Sequence, residues 1–273
     1  MQDEELTIGD KLRIYKDVVV GVMFRRFKRN YNVVDEYYDS GIYSSLKQNQ
    51  LWNLSLNDLL LIDFSNTDEK DKIIVYENKT KLVRNYRNTI WTSVQDEFVD
   101  KISKFIKPDD HIVELGCGFG RHLFTLRKYG FKNKMSGSDI STNAIDVAKK
   151  INEKYDLQID FQVADYTKKL DMDLKGKTIF TYATIEQVKD RIDDAIKNII
   201  DSEPKQVIHF ETIPQLLNNN FYKLMITLNK IRKDYPLNIL NILEQNSVSI
   251  TNKETLDVCT GILNPCMMVR YVP

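Results

Sequence analysis

The sequence predicts an α/β protein built on a doubly wound, mostly parallel sheet, and two observations support this prediction. From about residue 95 onward, short apolar runs typical of buried strands alternate with longer segments of helical periodicity. Elements that alternate at this spacing form right-handed βαβ units, in which the strands are parallel. The second observation is a glycine-rich turn, residues 116–120, which joins the first of these strands to the following helix.

The elements of this region can be assigned in chain order. A helix is predicted over residues 94–105, ahead of the first strand. Ser141 is suited to cap the helix after the second strand, because its hydroxyl can accept from a free first-turn amide. The last two strands have no helix between them, so we expect an antiparallel hairpin at the sheet edge. The predicted strands are residues 112–115, 134–138, 159–163, 178–182, 206–211, 247–251 and 256–272, and the further helices are residues 121–129, 141–155, 188–200 and 214–233.

Residues 1–94 are predicted to form a mainly helical extension that caps the α/β domain, residues 95–273, and recognises the substrate. This region is rich in aromatic and charged residues and lacks a regular alternation of strands and helices. Its basic cluster, residues 25–29, would suit an anion, although a solvated helix face explains it more simply. Partial helical periodicity extends over residues 10–27, 34–51 and 56–64.

Composition limits the class of protein. Lysine and arginine total 39 and so do aspartate and glutamate, so the zero net charge disfavours a nucleic-acid substrate. The three cysteines are too few and too scattered for a disulfide framework or a zinc site, which fits a reducing compartment. Residues 1–5 are acidic, unlike a signal peptide, and no apolar run is long enough to span a bilayer. We therefore expect a cytoplasmic protein without a membrane partner.

The glycine-rich turn has the pattern G-x-G-x-G and follows Glu114. Glycine is needed where the backbone turns sharply and approaches a ligand, and the next helix presents free amides to an anionic group. Asp139 ends the second strand about 20 residues after Gly120, where an acidic residue can bind ribose hydroxyls. Asp165 ends the third strand, where it can accept from an adenine amine with Tyr166 beside the base. The three features predict an adenosine site at the carboxyl ends of the strands.

Residues 111–123 resemble motif I of the class I S-adenosylmethionine methyltransferases, an acidic residue followed by G-x-G-x-G. Residues 137–141 resemble the second motif of that family, and residues 163–165 resemble the third. Residues 181–188 resemble the segment at the fourth strand, which in many small-molecule members ends in Leu-Glu-His. Here Ile-Glu-Gln stands at residues 185–187, so that histidine is missing. The resemblance covers the α/β domain and not the N-terminal region.

This resemblance implies a Rossmann-like, seven-stranded sheet and S-adenosylmethionine as the methyl donor, with S-adenosylhomocysteine as the product. In the family, motif I holds the methionine part of the cofactor, the second-strand acid holds the ribose, and the third-strand aspartate holds the adenine. The implied cofactor-binding residues are Glu114, Gly116, Cys117, Gly118, Gly120, Asp139, Ile140, Ala164, Asp165, Tyr166 and Tyr182.

Two other classes of protein compete with this interpretation. A nicotinamide-dinucleotide oxidoreductase needs its third glycine one residue later, and the pair Phe119-Gly120 breaks that spacing. A different user of the same cofactor fold, such as an aminopropyl transferase or a catalytically silent binding module, carries the same turn. Calorimetry with S-adenosylhomocysteine and with a nicotinamide dinucleotide distinguishes the first alternative.

Methyl transfer from a sulfonium requires alignment of the acceptor and, for a hydroxyl acceptor, removal of a proton. The catalytic candidates are Glu211, Glu186 and His209, and no metal is expected. Glu211 and His209 share one face of the fifth strand, with Glu211 facing the pocket and His209 placed deeper for a core hydrogen bond. Glu186 follows the fourth strand, where it could also cap the next helix. His111 is expected to be structural, and His122 is expected to be a solvated helix residue.

Three further residues, Tyr86, Arg87 and Trp91, precede the α/β domain and are predicted to close over the cofactor, as aromatic and basic residues do there in many family members. A guanidinium suits the cofactor carboxylate, which makes Arg87 a possible partner for it. A packed amphipathic helix is the alternative interpretation of the same residues.

The motifs leave the methyl acceptor open. An Asn/Asp-Pro-Pro-aromatic segment, typical of enzymes that methylate DNA bases, is missing after the fourth strand, where residues 181–184 stand instead. We therefore expect a small-molecule acceptor, a sugar or natural-product intermediate methylated on oxygen or nitrogen. A protein or RNA substrate remains the alternative.

Overall fold

A computed structural model of the protein describes residues 4–5, 7–24, 28, 30–62, 72–77, 81–258 and 263–273. The side chains of residues 4–5, 31, 72–77 and 81–89 are outside this description. The basic cluster at residues 25–29, apart from Lys28, and the thiol of Cys259 also lie outside the described residues.

From residue 87 onward, strands and helices alternate as the sequence predicts. The strands are β1 (Glu4–Glu5), β2 (Lys72–Glu77), β3 (Lys81–Tyr86), β4 (Ile112–Leu115), β5 (Met135–Asp139), β6 (Ile159–Val163), β7 (Thr178–Tyr182), β8 (Gln206–Glu211), β9 (Ser249–Thr255) and β10 (Met267–Val272). The helices are α1 (Ile8–Phe24), α2 (Tyr31–Asp35), α3 (Ser44–Gln48), α4 (Leu56–Leu61), α5 (Arg87–Ser103), α6 (Arg121–Lys128), α7 (Thr142–Tyr155), α8 (Ile192–Asp201), α9 (Asn220–Lys233) and α10 (Ile239–Gln245). Within the described part of the chain, no helix is both long and apolar enough to cross a membrane.

The seven-stranded sheet confirms the predicted fold class. Its strand order is β6-β5-β4-β7-β8-β10-β9, and the strands from β6 to β8 are parallel. β10 pairs antiparallel with β8, and β9 pairs antiparallel with β10, which forms the expected hairpin at the edge. The strand order reverses between β4 and β7, and a ligand cleft is expected there, at the carboxyl ends of the strands.

Helices cover both faces of this sheet, and each face has its own apolar core. Helices α5, α6 and α7 pack on the face that carries Ile112, Phe180 and Ile208. Helices α8, α9 and α10 pack on the opposite face, which carries Val113 and Ile179. Because β4, β7 and β8 are buried on both faces, apolar residues occupy neighbouring positions in each of them, as at Ile112-Val113 and Val207-Ile208. Ser141 caps α7 as predicted, since its hydroxyl accepts from the amide of Ala144 at 3.0 Å.

The described residues of the N-terminal region include helices α1 to α4, and much of this helical part packs on the α/β domain. α1 lies against α9, and the helical residues 31–48 lie along α7, with a π-helical stretch at Glu36–Tyr43. Polar contacts hold this second segment in place. The Nζ of Lys47 lies 2.5 Å from a carboxylate oxygen of Asp146, and the hydroxyl of Ser141 donates to Asp39 at 2.5 Å.

A three-stranded antiparallel sheet, β1-β3-β2, was not predicted. Its sequence signal is present, because residues 72–77 and 81–86 are rich in Ile, Val, Leu and Tyr and are separated by three polar residues. Periodicity elsewhere in the region favoured helix, which hid these two short runs. Helix α5 begins at Arg87 directly after β3, so residue 94, the proposed domain boundary, lies inside a helix.

Two predicted helices are shorter than expected. The prediction over residues 188–200 was wrong at its start, because Ile185–Arg191 form a 3₁₀ segment with Val188 outside helical geometry, and α8 starts at Ile192. The prediction over residues 214–233 was also wrong at its start. There, a single turn at Pro214–Leu216 is followed by a separate helix, whose first turn is capped by the side chain of Asn219.

Candidate active site

The glycine-rich turn lies directly after β4, and its glycines adopt left-handed backbone conformations. Gly116 has a φ of 72° and Gly118 a φ of 55°, a region that favours glycine. A Cβ at Gly116 would lie 2.1 Å from the hydroxyl oxygen of Thr184. The turn is fastened to the next strand, because the amide of Cys117 donates to the carbonyl of Ser138 at 2.9 Å. The turn therefore presents bare backbone at the carboxyl end of the sheet, directly before α6.

Asp139 lies beside this turn at the end of β5. One carboxylate oxygen accepts from the amide of Gly118 at 2.8 Å, and the other accepts from the amide of Ser141 at 2.9 Å. Burial raises the pKa of Asp139 to about 6, although the two amide hydrogen bonds oppose the shift. Each oxygen has a second lone pair, so the carboxylate can also accept from a ligand hydroxyl.

Asp165 and Tyr166 follow β6 on the same side of the site. Asp165 accepts from the amide of Thr167 at 3.0 Å and from its hydroxyl at 2.6 Å, and an ion pair links it to Lys168. The hydroxyl of Tyr166 donates to the carbonyl of Thr184 at 3.0 Å. Tyr166 therefore ties the loop after β6 to the loop after β7, in addition to facing the cavity.

These groups line one cavity of about 290 Å³ at the carboxyl ends of the strands. Of the predicted cofactor-binding residues, Gly120 and Glu114 are not among the lining groups, and the side chains of Tyr86 and Arg87 lie outside the described residues. The predicted residues that do line the cavity are Trp91, Gly116, Cys117, Gly118, Asp139, Ile140, Ala164, Asp165, Tyr166 and Tyr182.

Part of the cavity wall comes from the N-terminal helical segment, which the sequence predicted to be a cap without identifying the residues of it that reach the site. Val34, Asp35, Tyr38 and Tyr43 all line the cavity. The Tyr43 hydroxyl lies so near the turn that a Cβ at Gly118 would be 2.5 Å from it. No motif in the sequence marks these residues, because their position depends on how residues 31–48 dock along α7.

A carboxylate–imidazole pair lies at the cavity and also escaped prediction. The Nδ1 of His122 is 2.7 Å from a carboxylate oxygen of Glu114, and the imidazole stacks on Tyr182 with 4.1 Å between ring centroids. Glu114 is buried, which raises its pKa, while His122 opposes the shift. The expectation of a solvated His122 was therefore wrong, because the turn of α6 directs this residue back over the end of β4.

Arg121, at the start of α6, places a positive charge beside the same cavity. Its guanidinium donates to the carbonyl of Ile62 and lies over the ring of Trp91 at 4.4 Å. Burial lowers the pKa of Arg121 to about 10, so the side chain stays protonated at neutral pH. A cation at a helix N-terminus suits a ligand carboxylate.

The residues of the cavity fit an adenosine-containing sulfonium cofactor. The glycine turn supplies approachable backbone, Asp139 supplies acceptor oxygens, and Arg121 supplies a cation beside aromatic walls. A family model described as a methyltransferase domain matches residues 106–260, more than half of the chain.

The chain belongs to the class I S-adenosylmethionine-dependent methyltransferases. It is therefore an enzyme whose cofactor is S-adenosylmethionine, and the oxidoreductase alternative no longer applies.

Similar proteins show how far the likeness extends. This methyltransferase is 32% identical over 95 residues to phosphoethanolamine N-methyltransferase 3 of Arabidopsis thaliana, covering 35% of this chain and 19% of that one. It is 31% identical over 107 residues to phosphoethanolamine N-methyltransferase 1 of Zea mays, covering 39% and 21%. The matches thus span about a fifth of these curated relatives. Among solved structures, magnesium protoporphyrin IX methyltransferase of Synechocystis PCC 6803 with bound S-adenosylhomocysteine superposes with a TM-score of 0.59 at 14% identity, covering 89% of this chain and 99% of that one.

In the methyltransferase, Glu211 lies beneath the cavity and not in its lining. One carboxylate oxygen accepts from the amides of Thr184 and Ile185 at 3.0 and 2.9 Å and from the hydroxyl of Thr181 at 3.2 Å. The expectation that Glu211 faces the pocket was wrong, because the carboxylate folds under the loop after β7 and holds that loop in place. Burial, followed by the charge of Glu186, raises the pKa of Glu211.

Glu186 is also buried away from the cavity of the methyltransferase. Its carboxylate lies 3.4 Å from the Nζ of Lys230, which in turn donates to the carbonyl of Thr212 at 2.6 Å. The structure therefore gives Glu186 an ion-pair partner in the core rather than a place at the cavity. Its neighbours Gln187 and Val188 line the cavity instead.

Both remaining histidines of the methyltransferase make hydrogen bonds away from the cavity. His209 is fully buried, with Nδ1 2.8 Å from the hydroxyl of Thr181 and Nε2 3.3 Å from that of Tyr271. This confirms the core hydrogen bond expected from its depth in the strand. His111 pairs with the hydroxyl of Ser136 at 2.8 Å, ahead of β4.

Replacing Glu211 with alanine is expected to destabilise the methyltransferase by about 3 kcal/mol, because the three donors that this carboxylate serves lose their buried acceptor. Urea unfolding of the purified variant measures the loss. Glu153→Ala, at an exposed position of α7, is the control and should change stability by less than about 0.5 kcal/mol. Equal stability of Glu211→Ala and the parent would contradict this structural role.

Because His209 is buried, its contribution to the free energy of unfolding should be lost at acid pH. Burial lowers its pKa to about 3, so the unfolded chain binds a proton that the folded protein excludes. This contribution is complete above about pH 6.5 and is lost as the pH falls toward 3. The raised pKa values of Asp139 and Glu211 act in the opposite sense, so the comparison needs a variant. Urea unfolding at several pH values should show a weaker loss on acidification for His209→Gln, and parallel curves would contradict the assignment.

Proposed function

We propose that this methyltransferase transfers the methyl group of S-adenosylmethionine to an oxygen or nitrogen of a small molecule, such as a sugar or natural-product intermediate. The supporting observation is the shape of the site. The cavity is lined by the glycine turn and by Tyr38 and Tyr43 of the N-terminal segment, with the Tyr43 hydroxyl close to the turn at Gly118. A concave cavity of about 290 Å³ suits a ligand of small size better than a polymer.

The cofactor would occupy the part of the cavity that the strand ends form. Asp139 would hold the ribose, Asp165 and Tyr166 would hold the adenine, and the turn at Gly116–Gly118 would carry the methionine part. Arg121 is a cavity-lining partner for the cofactor carboxylate, alongside the earlier candidate Arg87. Bound there, S-adenosylmethionine supplies a methyl group already activated on a sulfonium.

A base is needed if the acceptor is a hydroxyl, and His122 is the group best placed for this role. It lines the cavity beside Tyr182 at the end of β7, and the carboxylate of Glu114 holds its Nδ1. With Nδ1 donating to Glu114, Nε2 is left as the acceptor of a proton, the arrangement of a histidine base oriented by an acid. Glu211, Glu186 and His209, buried elsewhere, are replaced by His122 in this proposal.

The names of the similar proteins refer to small-molecule acceptors. The curated relatives are named for phosphoethanolamine, and the Synechocystis enzyme is named for magnesium protoporphyrin IX. These acceptors differ widely in size and charge, so the likeness supports the class of reaction and leaves the acceptor of this chain to experiment.

The experiment has a donor arm and an acceptor arm. Calorimetry should first show binding of S-adenosylhomocysteine by the purified protein. The protein is then incubated with methyl-labelled S-adenosylmethionine and cell extract, and the products are separated by size. Label in the low-mass fraction, dependent on the protein, is the expected result. Label found only in macromolecules would overturn the small-molecule proposal in favour of a protein or RNA acceptor.

A further inference from the structure

Helix α1 carries large apolar side chains that face solvent. Ile8 is 77% exposed, Leu12 is 60% exposed and Met23 is 67% exposed. Their spacing of four and eleven residues places them on one side of the helix, with Tyr15 and Val19 between them in the same row. Val18 is buried, and Ile14 and Tyr15 pack against the apolar core, so Ile8, Leu12 and Met23 form an apolar edge of α1 outside that core.

Helix α9 continues this apolar area. Phe221 and Leu224 are 48% and 47% exposed, and Ile231 follows on the same side of the helix. The rings of Tyr15 and Phe221 lie 5.6 Å apart and join the two helices. We call the resulting area the α1–α9 surface, defined by Ile8, Leu12, Met23, Phe221, Leu224 and Ile231.

The same two helices concentrate positive charge, although the chain as a whole is neutral. The exposed residues Arg13 and Lys16 flank the apolar row of α1. Helix α9 adds Lys223, Arg232 and Lys233 and no acidic residue, while its fourth basic residue, Lys230, is buried on Glu186. Helix α1 also carries two acidic residues, so the excess of positive charge comes mainly from α9 and from the residues after α1. Residues 25–29, which follow α1 in sequence and lie largely outside the described part, contain four more basic residues. An apolar area bordered by cations in a neutral protein indicates a partner that is both apolar and anionic.

We propose that the α1–α9 surface docks on an anionic lipid bilayer. An interfacial helix buries an apolar row among the acyl chains while its cations meet the headgroups, and α1 has both features. The large exposed fractions of the Ile8 and Met23 side chains suit their insertion between the acyl chains of lipids. This departs from the expectation of no membrane partner, which considered only spanning segments.

A second copy of the chain fits this surface less well. In a two-fold interface the same patch meets itself, so the cations of α1 and α9 would face one another. Like charges brought together in this way oppose association, whereas an anionic surface is attracted.

Vesicle sedimentation of the full-length protein tests the proposal. Two vesicle types are compared at low salt, phosphatidylcholine alone and an equal mixture of phosphatidylcholine and phosphatidylglycerol. The protein should bind the mixed vesicles at least about tenfold more strongly, since each basic residue near the surface contributes about 1 kcal/mol. Leu12→Asp with Met23→Asp should abolish binding, and Arg13→Glu with Lys16→Glu should weaken it by about tenfold or more.

The control is Lys132→Glu with Lys197→Glu, which reverses two exposed lysines elsewhere on the protein. It should bind vesicles like the parent, and all variants should keep S-adenosylhomocysteine binding, which shows that they fold. If the control variant lost as much vesicle binding as the Arg13/Lys16 variant, the proposal would be overturned, because binding would then depend on net charge and not on the α1–α9 surface. Absence of binding to mixed vesicles would also overturn it. A third outcome would overturn it as well. In that outcome, the parent protein fails to bind vesicles but self-associates in sedimentation velocity, and the Leu12/Met23 variant does not self-associate.

Discussion

Replacing Gly116 with alanine is expected to remove cofactor binding and to destabilise the protein. The left-handed conformation costs a residue with a Cβ about 1–2 kcal/mol, and the new methyl group would collide with Thr184 at 2.1 Å. Accommodating it would displace the loop after β7, at a further cost of about 1–3 kcal/mol. We expect a loss of S-adenosylhomocysteine affinity of more than about a hundredfold, which is about 2.8 kcal/mol. Calorimetry and urea unfolding measure the two effects.

The variant Gly130→Ala separates the cost of the left-handed conformation from the effect of the collision with Thr184. Gly130 also has a left-handed conformation, with a φ of 88°, but a Cβ there would meet nothing within 4 Å. This variant should lose about 1 kcal/mol of stability and keep its affinity for S-adenosylhomocysteine. If Gly116→Ala behaved like Gly130→Ala, the close approach of Thr184 to the turn would have no role in the site.

Replacing His122 with alanine should lower turnover by about a hundredfold to ten-thousandfold, the range typical of a lost general base. The reason is the position of the imidazole beside the cavity and its hydrogen bond to Glu114. Affinity for S-adenosylhomocysteine should change little. The measurement is kcat with the acceptor fraction identified from extract, together with calorimetry of the same variant.

Two controls sharpen this prediction. His111→Ala removes a histidine that bonds Ser136 outside the cavity and should leave turnover intact. Glu114→Gln should reduce kcat less than His122→Ala, and added imidazole should partly rescue the alanine variant, which a purely structural role would not allow. A His122→Ala enzyme with normal kcat but weakened cofactor binding would identify His122 as a cofactor ligand instead.

Much of the cofactor site could be predicted from sequence because its residues follow strand ends. The backbone of a parallel sheet brings Gly116, Asp139 and Asp165 to one edge, whatever the side chains between them are. The bounds of Ile112–Leu115 also agreed with the prediction, because this central strand is buried on both faces and most of its residues are apolar.

The acceptor side could not be predicted, because its residues depend on contacts between distant segments. Glu211 does alternate onto a definite face of β8, but whether that face meets the cavity depends on the path of the loop after β7. His122 was misjudged because its partner, Glu114, lies on a strand and not on its own helix. Tyr43 reaches the glycine turn only through the docking of residues 31–48 along α7, which no local pattern encodes.

Because residues 31–48 dock along α7, tryptophan fluorescence can report on the state of the enzyme. The chain has two tryptophans, Trp52 and Trp91. Trp52 follows the docked segment, and its ring centroid lies 3.8 Å from the Nζ of Lys150 on α7. Trp91 borders the cavity beside Arg121. The variants Trp52→Phe and Trp91→Phe, which each retain one indole, therefore allow loosening of the segment and filling of the cavity to be followed separately, without any attached dye.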